Sequence, residues 1–244
     1  MNTKTDRDKP YDFSLTSISR GIVLLFLPIL TYIIGLIPFL IGFFYLYHKI
    51  VFLFQGISFY IILSVFLFIS FFVFIILESF IPVFIVRIFH IQTKPGEHDI
   101  TIKDNAFFHH MLFYALYRPS LKLISILPMV PLRTKLVKLA GLTIGKRSLL
   151  AGSELIDEPY GVVIGDHTLI GGFTTIFSHM SDSTLRLKKV TIGNHCFIGN
   201  KSIIFPGATI EDHVYVEPGS VVREDQVLKK GKRYGGNPAT IVKT

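Results

Sequence analysis

An aliphatic residue recurs every six positions in the stretch VTIGNHCFIGNKSIIFPGATIEDHVYVEPGSVV, residues 190–222. This repeat is the strongest indication of the fold. A period of six fits neither the 3.6-residue period of a helix nor the strict alternation of an ordinary strand. It predicts a short strand and a corner, repeated, with three such units forming one coil of a parallel β-helix. The inward aliphatic positions are Ile192, Ile198, Ile204, Ile210, Val216 and Val222.

Two earlier blocks keep the same spacing, and the breaks between blocks predict loops. The blocks are Ile144, Leu150, Ile156 and Ile164, Ile170, Ile176. The step from Ile156 to Ile164 places two extra residues near Glu158-Pro159. The longer step from Ile176 to Ile192 predicts an ejected loop over Ser178 to Lys189. Loops thrown out of a solenoid often build its binding site.

The front of the chain is strongly apolar: Gly21 to Tyr47 and Ile57 to Leu77 each reach the length of about 20 residues that crosses a bilayer. The sequence predicts a two-helix transmembrane hairpin over residues 21–90, with Pro28 and Pro38 kinking the first helix. The first run is too long for a cleaved signal peptide. Glu78 is interpreted as a carboxylate at the headgroup boundary, with a buried functional acid as the alternative.

The basic residues that flank the apolar runs predict the orientation of the hairpin. Both ends are basic, whereas the connecting loop carries Lys49 alone. The positive-inside rule therefore places the tail, residues 1–20, and the β-helix in the cytoplasm, as a multi-pass protein of the cell inner membrane. The flanking residues are Lys4, Arg7, Lys9 and Arg20 before the hairpin, and Arg87, Lys94 and Lys103 after it.

Residues 91–140 are predicted to be amphipathic helices that lie on the cytoplasmic membrane face. Phe107 to Arg118 forms the first, and Pro128 and Pro131 divide the second, Leu121 to Leu139. The adjacent His109 and His110 point about 100° apart on a helix. They are therefore interpreted as interfacial or packing histidines and not as a metal pair.

The overall charge and cysteine content narrow the class of protein. The formal net charge is +8. On an apolar chain, such a charge favours anionic membrane lipids as partners, and no motif indicates nucleic acid. The single cysteine, Cys196, cannot form an intrachain disulfide and is expected to be a small packing residue.

The last hundred residues resemble the left-handed β-helix acyltransferases, also called hexapeptide-repeat acyltransferases. The resemblance rests on the repeats of residues 190–222, the loop histidine in IFSH (Ile176 to His179) and the closing GGNPATIVK (Gly235 to Lys243). It assigns residues 141–244 to that domain. The membrane-helix front part is similar, more loosely, to the terminal region of membrane-bound peptide synthetases.

The resemblance implies a homotrimer with active sites between subunits and acetyl-CoA, or another acyl-CoA, as co-substrate, without a metal. The acyl group would pass directly to a hydroxyl or amine. A hydroxyl needs a general base within about 3 Å, and His179 is the family's loop histidine here. Met180 stands where the family often has proline. The membrane segment favours a lipid-linked or cell-envelope acceptor, with an O-acetyltransferase as the specific expectation.

The resemblance also implies where the donor lies. In the family, the pantetheine arm runs along the C-terminal coils, where this chain has Gly199, Ser202, Gly207 and Ser220. The cationic cluster of Lys229, Lys230, Lys232 and Arg233 is suited to CoA phosphates, with a solvated tail as the alternative. Asn237, also assigned to the donor site, is in a segment that closes the last coil. Gly171, Gly172 and Gly199 are candidate oxyanion donors through their backbone amides.

Two other functions fit the same fold. The chain could be a non-catalytic trimeric scaffold on the membrane, or a zinc-dependent hydratase with histidines such as His179, His195 and His213 as ligands. Together with His167, the last two histidines occupy equivalent corners, which favours a surface or intersubunit position. An intact His179 and closing motif favour the acyltransferase, and loss of activity with a chelator would favour the hydratase.

Overall fold

The computed structural model describes residues 14–242, so the expected tail lies mostly outside the described residues. Four α-helices come first along the chain: α1 (Leu15–Leu53), α2 (Ile57–Ile88), α3 (Asn105–Ile124) and α4 (Val130–Leu139). The short strand β1 (Gly96–His98) lies between α2 and α3. A parallel β-helix follows α4.

Each β-helix strand is two or three residues long. The strands are β2 (Thr143–Ile144), β3 (Leu149–Leu150), β4 (Leu155–Ile156), β5 (Val162–Ile164), β6 (Leu169–Ile170), β7 (Thr175–Ile176), β8 (His179–Ser181), β9 (Leu185–Leu187), β10 (Val190–Ile192), β11 (Phe197–Ile198), β12 (Ile203–Ile204), β13 (Thr209–Ile210), β14 (Tyr215–Val216), β15 (Val221–Val222), β16 (Val227–Leu228), β17 (Arg233–Gly235) and β18 (Thr240–Ile241).

The strands stack into three faces, as the six-residue period predicts. The face orders are β16-β13-β10-β5-β2, β18-β17-β14-β11-β6-β3 and β15-β12-β7-β4. Ile192 lies opposite Ile210, and Ile210 lies opposite Leu228, so one coil uses 18 residues. The inward positions continue in the same spacing to Leu228 and Tyr234. Thirteen of these fourteen side chains are fully or nearly fully buried, and Ile144, at the open end, is partly buried. The stacked aliphatic residues therefore form the core of the domain.

The two irregularities of the repeat lie where the spacing predicted them. The insertion after Ile156 forms a 3-10 turn, Pro159–Gly161. The ejected loop is a hairpin in which β8 and β9 pair antiparallel. The sequence did not predict that β1 also pairs with β9, with Glu97 opposite Arg186. The strand lies before the first helix predicted in this region, Phe107 to Arg118.

The apolar front part forms two long helices that extend beyond the predicted spans. α1 begins at Leu15, with the Ser17 N–H donated to the Ser14 side chain, and not at Gly21. It is continuous through both prolines, and α2 runs to Ile88 instead of Leu77. Both helices are long and apolar enough to cross a membrane. Most of their large apolar side chains are exposed, unlike those of a core helix in a soluble protein.

Glu78 lies inside the helical hairpin and not at an exposed boundary. Its side chain is 2% exposed, and the Thr31 hydroxyl donates to Oε1 at 3.1 Å. Gly35 on α1 lets the carboxylate approach closely, because a Cβ there would lie 2.5 Å from Glu78 Oε2 and the Glu78 side chain would have to shift. The sequence missed this packing because it depends on contact between two helices.

The apolar face of α3 is buried against protein. It packs between α2 and the first coils, and Phe113 and Tyr117 are fully buried. The Tyr117 hydroxyl donates to the Ile156 carbonyl at 3.0 Å. A buried ion pair between Arg133 of α4 and Glu154 adds a second connection. As expected, the proline-containing segment separates two helices, with α4 beginning at Val130.

Candidate active site at the junction of α3 and the β-helix

The site forms where the two irregularities of the repeat meet. His179 is the first residue of β8, directly after the coil that ends with Ile176. Glu158 lies in the insertion one coil earlier and is fully buried. His179 Nδ1 lies 2.7 Å from Glu158 Oε1, the distance of a charge-assisted hydrogen bond. The Ser178 N–H donates to Glu158 Oε2 at 3.1 Å and fixes the carboxylate.

This pairing changes the proton affinity of both groups. Burial lowers the pKa of His179, but the hydrogen bond and the negative charge of Glu158 outweigh burial, so that the pKa is raised. Burial raises the pKa of Glu158, and the contact with His179 opposes that rise. The side chain of His179 is 19% exposed. Because Nδ1 faces the Glu158 carboxylate at 2.7 Å, Nε2 is the nitrogen left to exchange a proton with a substrate.

One face of α3 completes the site. His110, Tyr114 and Arg118 are spaced by four residues and therefore lie on the same side of the helix. The Tyr114 hydroxyl donates to Asp157 Oδ2 at 2.8 Å, and Arg118 Nη1 lies 3.1 Å from Asp157 Oδ1. Asp157 precedes Glu158, so these contacts tie α3 to the insertion.

His110 is the site residue that sequence reasoning missed. Its ring centroid lies 4.9 Å from that of His179, and its side chain is 5% exposed. It had been interpreted as an interfacial or packing histidine, and it packs against the candidate base. The four-residue spacing of His110, Tyr114 and Arg118 was the available signal, but only the fold shows which partner that face meets.

A metal ion could be held by three of these residues. One ligand atom from each of His110, Glu158 and His179 lies within 4.8 Å of the other two. However, two ligands of a tetrahedral Zn²⁺, each about 2.0–2.1 Å from the ion, would be separated by about 3.3 Å. The His179–Glu158 distance of 2.7 Å is shorter than that. His179 Nδ1 and Glu158 Oε1 thus lie at the separation of an acid–base pair, while the three groups together are close enough to hold an ion.

Several of the predicted donor residues have structural roles. Ser202 and Ser220 are fully buried, and their hydroxyls donate to the Gly199 and Glu217 carbonyls at 2.8 and 2.6 Å. They therefore cannot offer surface hydrogen bonds along this chain. Gly199 allows close stacking, because a Cβ there would lie 2.3 Å from Pro218 N. Gly207 adopts φ +77°, a turn conformation that favours glycine.

The C-terminal donor candidates remain at the surface. Arg233 pairs with Glu217 at 2.9 Å and lies over the Tyr215 ring. The backbone N–H of Lys230 donates to Glu211 at 2.9 Å, and Lys230 itself is exposed. Asn237 is also exposed and forms a cis peptide bond with Pro238. The cationic cluster is thus partly neutralised by acidic neighbours.

The expected oxyanion donors are already engaged. The amides of Gly171 and Gly199 donate to the Ile198 and Val216 carbonyls in the next coil, at 2.8 and 2.9 Å. The amide of Gly172 donates to Asn200 Oδ1 at 3.0 Å. Coil stacking consumes these groups, so the expectation that they stabilise an oxyanion is wrong for this chain as described.

The three corner histidines form a surface column. The rings of His167 and His195 stack at 4.8 Å, and those of His195 and His213 at 4.9 Å, nearly parallel in both cases. All three are exposed and adopt positive φ, as the left-handed corner requires. The surface position predicted for them is confirmed. Within this chain, His179 contacts His110 and Glu158 instead of this column.

The repeat and the His179–Glu158 pair indicate a hexapeptide-repeat acyltransferase. Comparison with known proteins supports this class. The family described as bacterial transferase hexapeptide (six repeats) matches residues 189–224. The protein "Putative acetyltransferase YvoF" of Bacillus subtilis (strain 168) is 37% identical over 87 residues, covering 35% of this chain and 49% of that relative.

Two further relatives have different named activities. Galactoside O-acetyltransferase of Escherichia coli (strain K12) is 36% identical over 78 residues, covering 29% of this chain and 38% of the relative. Gamma carbonic anhydrase 1, mitochondrial, of Arabidopsis thaliana is 27% identical over 106 residues, covering 43% and 34% respectively. The chain thus spans about half, or less, of the length of each of these relatives.

Proposed function

We propose that this protein is a membrane-anchored acyltransferase that transfers an acetyl group from acetyl-CoA, or a related acyl group, to a hydroxyl or amine. The observation that carries the proposal is the His179–Glu158 pair at 2.7 Å, placed where the coil opens into the hairpin. Similarity to two acetyltransferases supports acetyl-CoA as the donor. The acceptor is a lipid-linked or cell-envelope molecule, because the site adjoins helices with a large exposed apolar surface.

The reaction assigns a step to each member of the pair. His179 Nε2 takes the proton of the acceptor as its oxygen or nitrogen attacks the thioester carbonyl. Glu158 accepts the Nδ1–H, which fixes the tautomer and stabilises the imidazolium as it forms. When the tetrahedral intermediate collapses, the C–S bond breaks and His179 returns the proton to the CoA sulfur. The products are the acylated acceptor and CoA.

The active protein is proposed to be a homotrimer in the inner membrane, with its β-helix in the cytoplasm. The outer faces of the coils carry exposed apolar residues, including Leu149, Leu169 and Phe173. Such residues are suited to contact between copies of the chain. Gly199, Gly207, Lys230, Arg233 and Asn237 stay as proposed donor-site residues, for which the surface cluster at the last coils supplies the CoA-facing cations.

Acetyl-CoA binding to the detergent-purified protein is the first test, by calorimetry with desulfo-CoA and a chelator as controls. Binding in the micromolar range that a chelator does not change supports a donor site. Absence of binding by any acyl-CoA would favour the scaffold. Activity that a chelator abolishes would favour the metal-dependent hydratase, the second candidate, which the likeness to gamma carbonic anhydrase supports.

The decisive variant is His179→Ala. We expect acetyl-CoA affinity to stay within about two-fold of that of the wild type, because the ring does not hold the donor. Turnover, measured as CoA release, should fall roughly 10²–10⁴-fold with loss of the general base. His213→Ala is the matched control, because that histidine is exposed on the surface column. Full turnover by His179→Ala would exclude this residue as the base.

A further inference from the structure

The buried imidazole of His110 has an unused hydrogen-bonding atom beside the candidate base. Among the described residues, no group hydrogen-bonds to His110 Nδ1, although the side chain is 5% exposed. Leaving a buried polar atom unpaired costs about 1–3 kcal/mol, and such an atom in a native site calls for a partner. The surrounding rings of Tyr114 and His179, centred 5.2 and 4.9 Å away, do not supply one.

The two histidines are close enough to share one hydrogen-bonding partner. A nitrogen of His110 lies within 4.8 Å of a nitrogen of His179 and of a Glu158 carboxylate oxygen. A single oxygen or nitrogen about 2.8 Å from both imidazoles would bridge them with two normal hydrogen bonds. In the proposed reaction, the atom that must approach His179 is the nucleophile of the acceptor.

His110 is suited to bind a neutral nucleophile. Burial, and then the nearby His179, lower the pKa of His110 to about 4, so the ring is neutral at physiological pH. A neutral imidazole offers one N–H donor and one lone pair. It can therefore donate to a hydroxyl oxygen or accept from the second hydrogen of an amine, without repelling the imidazolium that forms on His179.

We propose that His110 binds the nucleophilic atom of the acceptor beside His179, so that α3 supplies the acceptor half of the active site. The inference rests on the proposed acyl transfer and adds to it the residue that recognises the acceptor. It also makes the catalytic centre a composite of two modules, because α3 packs against α2 of the apolar hairpin as well as against the first coils.

The test compares His110→Leu with His110→Asn in the full-length, detergent-purified protein. The two replacements are similar in size, but only asparagine offers polar atoms near the position of Nδ1. His109→Leu is the control, since the ring of His109, the neighbouring α3 histidine, packs against Phe108 and, among residues 14–242, not against His179. The measurements are acetyl-CoA affinity and the rate of CoA release with n-octyl β-D-galactoside as the probe acceptor, less the rate with water alone.

We expect His110→Leu to lower the transfer rate about 10- to 100-fold, the effect of losing one hydrogen bond to the reacting atom. Acetyl-CoA affinity should stay within two-fold, His110→Asn should recover a large part of the rate, and His109→Leu should match the wild type. Transfer by His110→Leu within two-fold of wild type would overturn the inference. His110→Phe gives the same readout if the leucine variant loses its thermal transition.

The failure of the inference can be told apart from failure of the proposed function. A wild-type protein that releases no CoA, with the probe or with water, contradicts acyl transfer itself and removes the basis of the inference. A wild-type protein that transfers to the probe, together with a His110→Leu variant that transfers equally fast, contradicts only the assignment of His110.

Discussion

At the scale of single residues, we expect Glu158 to control the pH range in which His179, the proposed general base, can accept a proton. The raised pKa of His179 means that the ring becomes protonated, and inactive as a base, when the pH falls below a value higher than its ordinary 6.5. The rate should therefore rise with pH through that value. Glu158 supplies the two largest effects that raise the pKa, and Asp157 adds a smaller one, whereas burial and the charge of Arg118 act in the opposite direction.

The Glu158→Gln variant tests this control. Glutamine keeps the size and one hydrogen-bond acceptor but removes the charge, so burial should dominate and the pKa of His179 should fall. We expect the acidic limb of the pH profile of CoA release to move to lower pH, with a smaller maximal rate. Glu97→Gln, at an exposed position on β1, should leave the limb in place. An unmoved limb in Glu158→Gln would show that the carboxylate does not set the pKa of the base.

Sequence analysis could identify candidate site residues whose position is set locally, but not those whose role depends on partners far along the chain. His179 could be found because its position relative to the repeat, at the start of an ejected loop, is a local property. His110 could not, because its partners lie 48 and 69 positions further along the chain. Gly171 and Gly199 looked available as amide donors, but the stacking of coils uses their N–H groups.

At the scale of elements, the close stacking of coils requires a small residue where the backbones of neighbouring coils approach. A Cβ on residue 199 would lie 2.3 Å from Pro218 N and 2.6 Å from the Glu217 carbonyl carbon, both atoms of the backbone. Backbone atoms cannot turn aside as a flexible side chain can. Gly199 is therefore fixed by packing, whatever its relation to a donor molecule.

The Gly199→Ala variant should be strongly destabilised, by about 3 kcal/mol or more, because neighbouring coils must separate to admit the methyl group. A thermal melt in detergent would show this as a Tm several degrees lower. Gly219→Ala is the control: no atom lies within 4 Å of its Cβ position, although its φ of +71° adds strain. Equal losses in the two variants would mean that steric crowding is not the cause.

The elements differ in how well the sequence predicts them. The coils were predicted because the same six-residue unit repeats along the chain, so each strand carries its own signal. β1 was missed because three residues pair with β9 almost ninety positions later, and no local pattern marks them. The helix α3 was predicted, but its packing against α2 was not, because an amphipathic sequence shows an apolar face without showing what covers it.

At the scale of the whole molecule, the hairpin and the β-helix are joined by more than a linker. Arg20, near the start of α1, donates to the carbonyls of Ile102 and Lys103 at 2.8 and 2.7 Å. One buried cluster continues from α2, through α3 and α4, into the coils. The apolar helices therefore hold α3, and with it one wall of the candidate site, in a defined position.

Labelling with cysteine tests the proposed topology. In intact cells, Phe52→Cys, near the connection between α1 and α2, should react with a membrane-impermeant thiol reagent. Lys232→Cys, exposed on the last coils, should react only after the cells are opened. The native Cys196 is 3% exposed and gives a low background. The reverse pattern would place the β-helix outside.

The 18-residue coil has a consequence for how this protein can change in evolution. Because Ile192, Ile210 and Leu228 stack in register, a deletion or duplication of eighteen codons would remove or add one complete coil and leave every inward residue inward. Deletions or duplications of most other lengths would move inward residues to the surface, except at the two places where the chain already leaves the coil. Gene variants of differing length should accordingly vary by whole coils, or at the Glu158 insertion and the hairpin that carries His179.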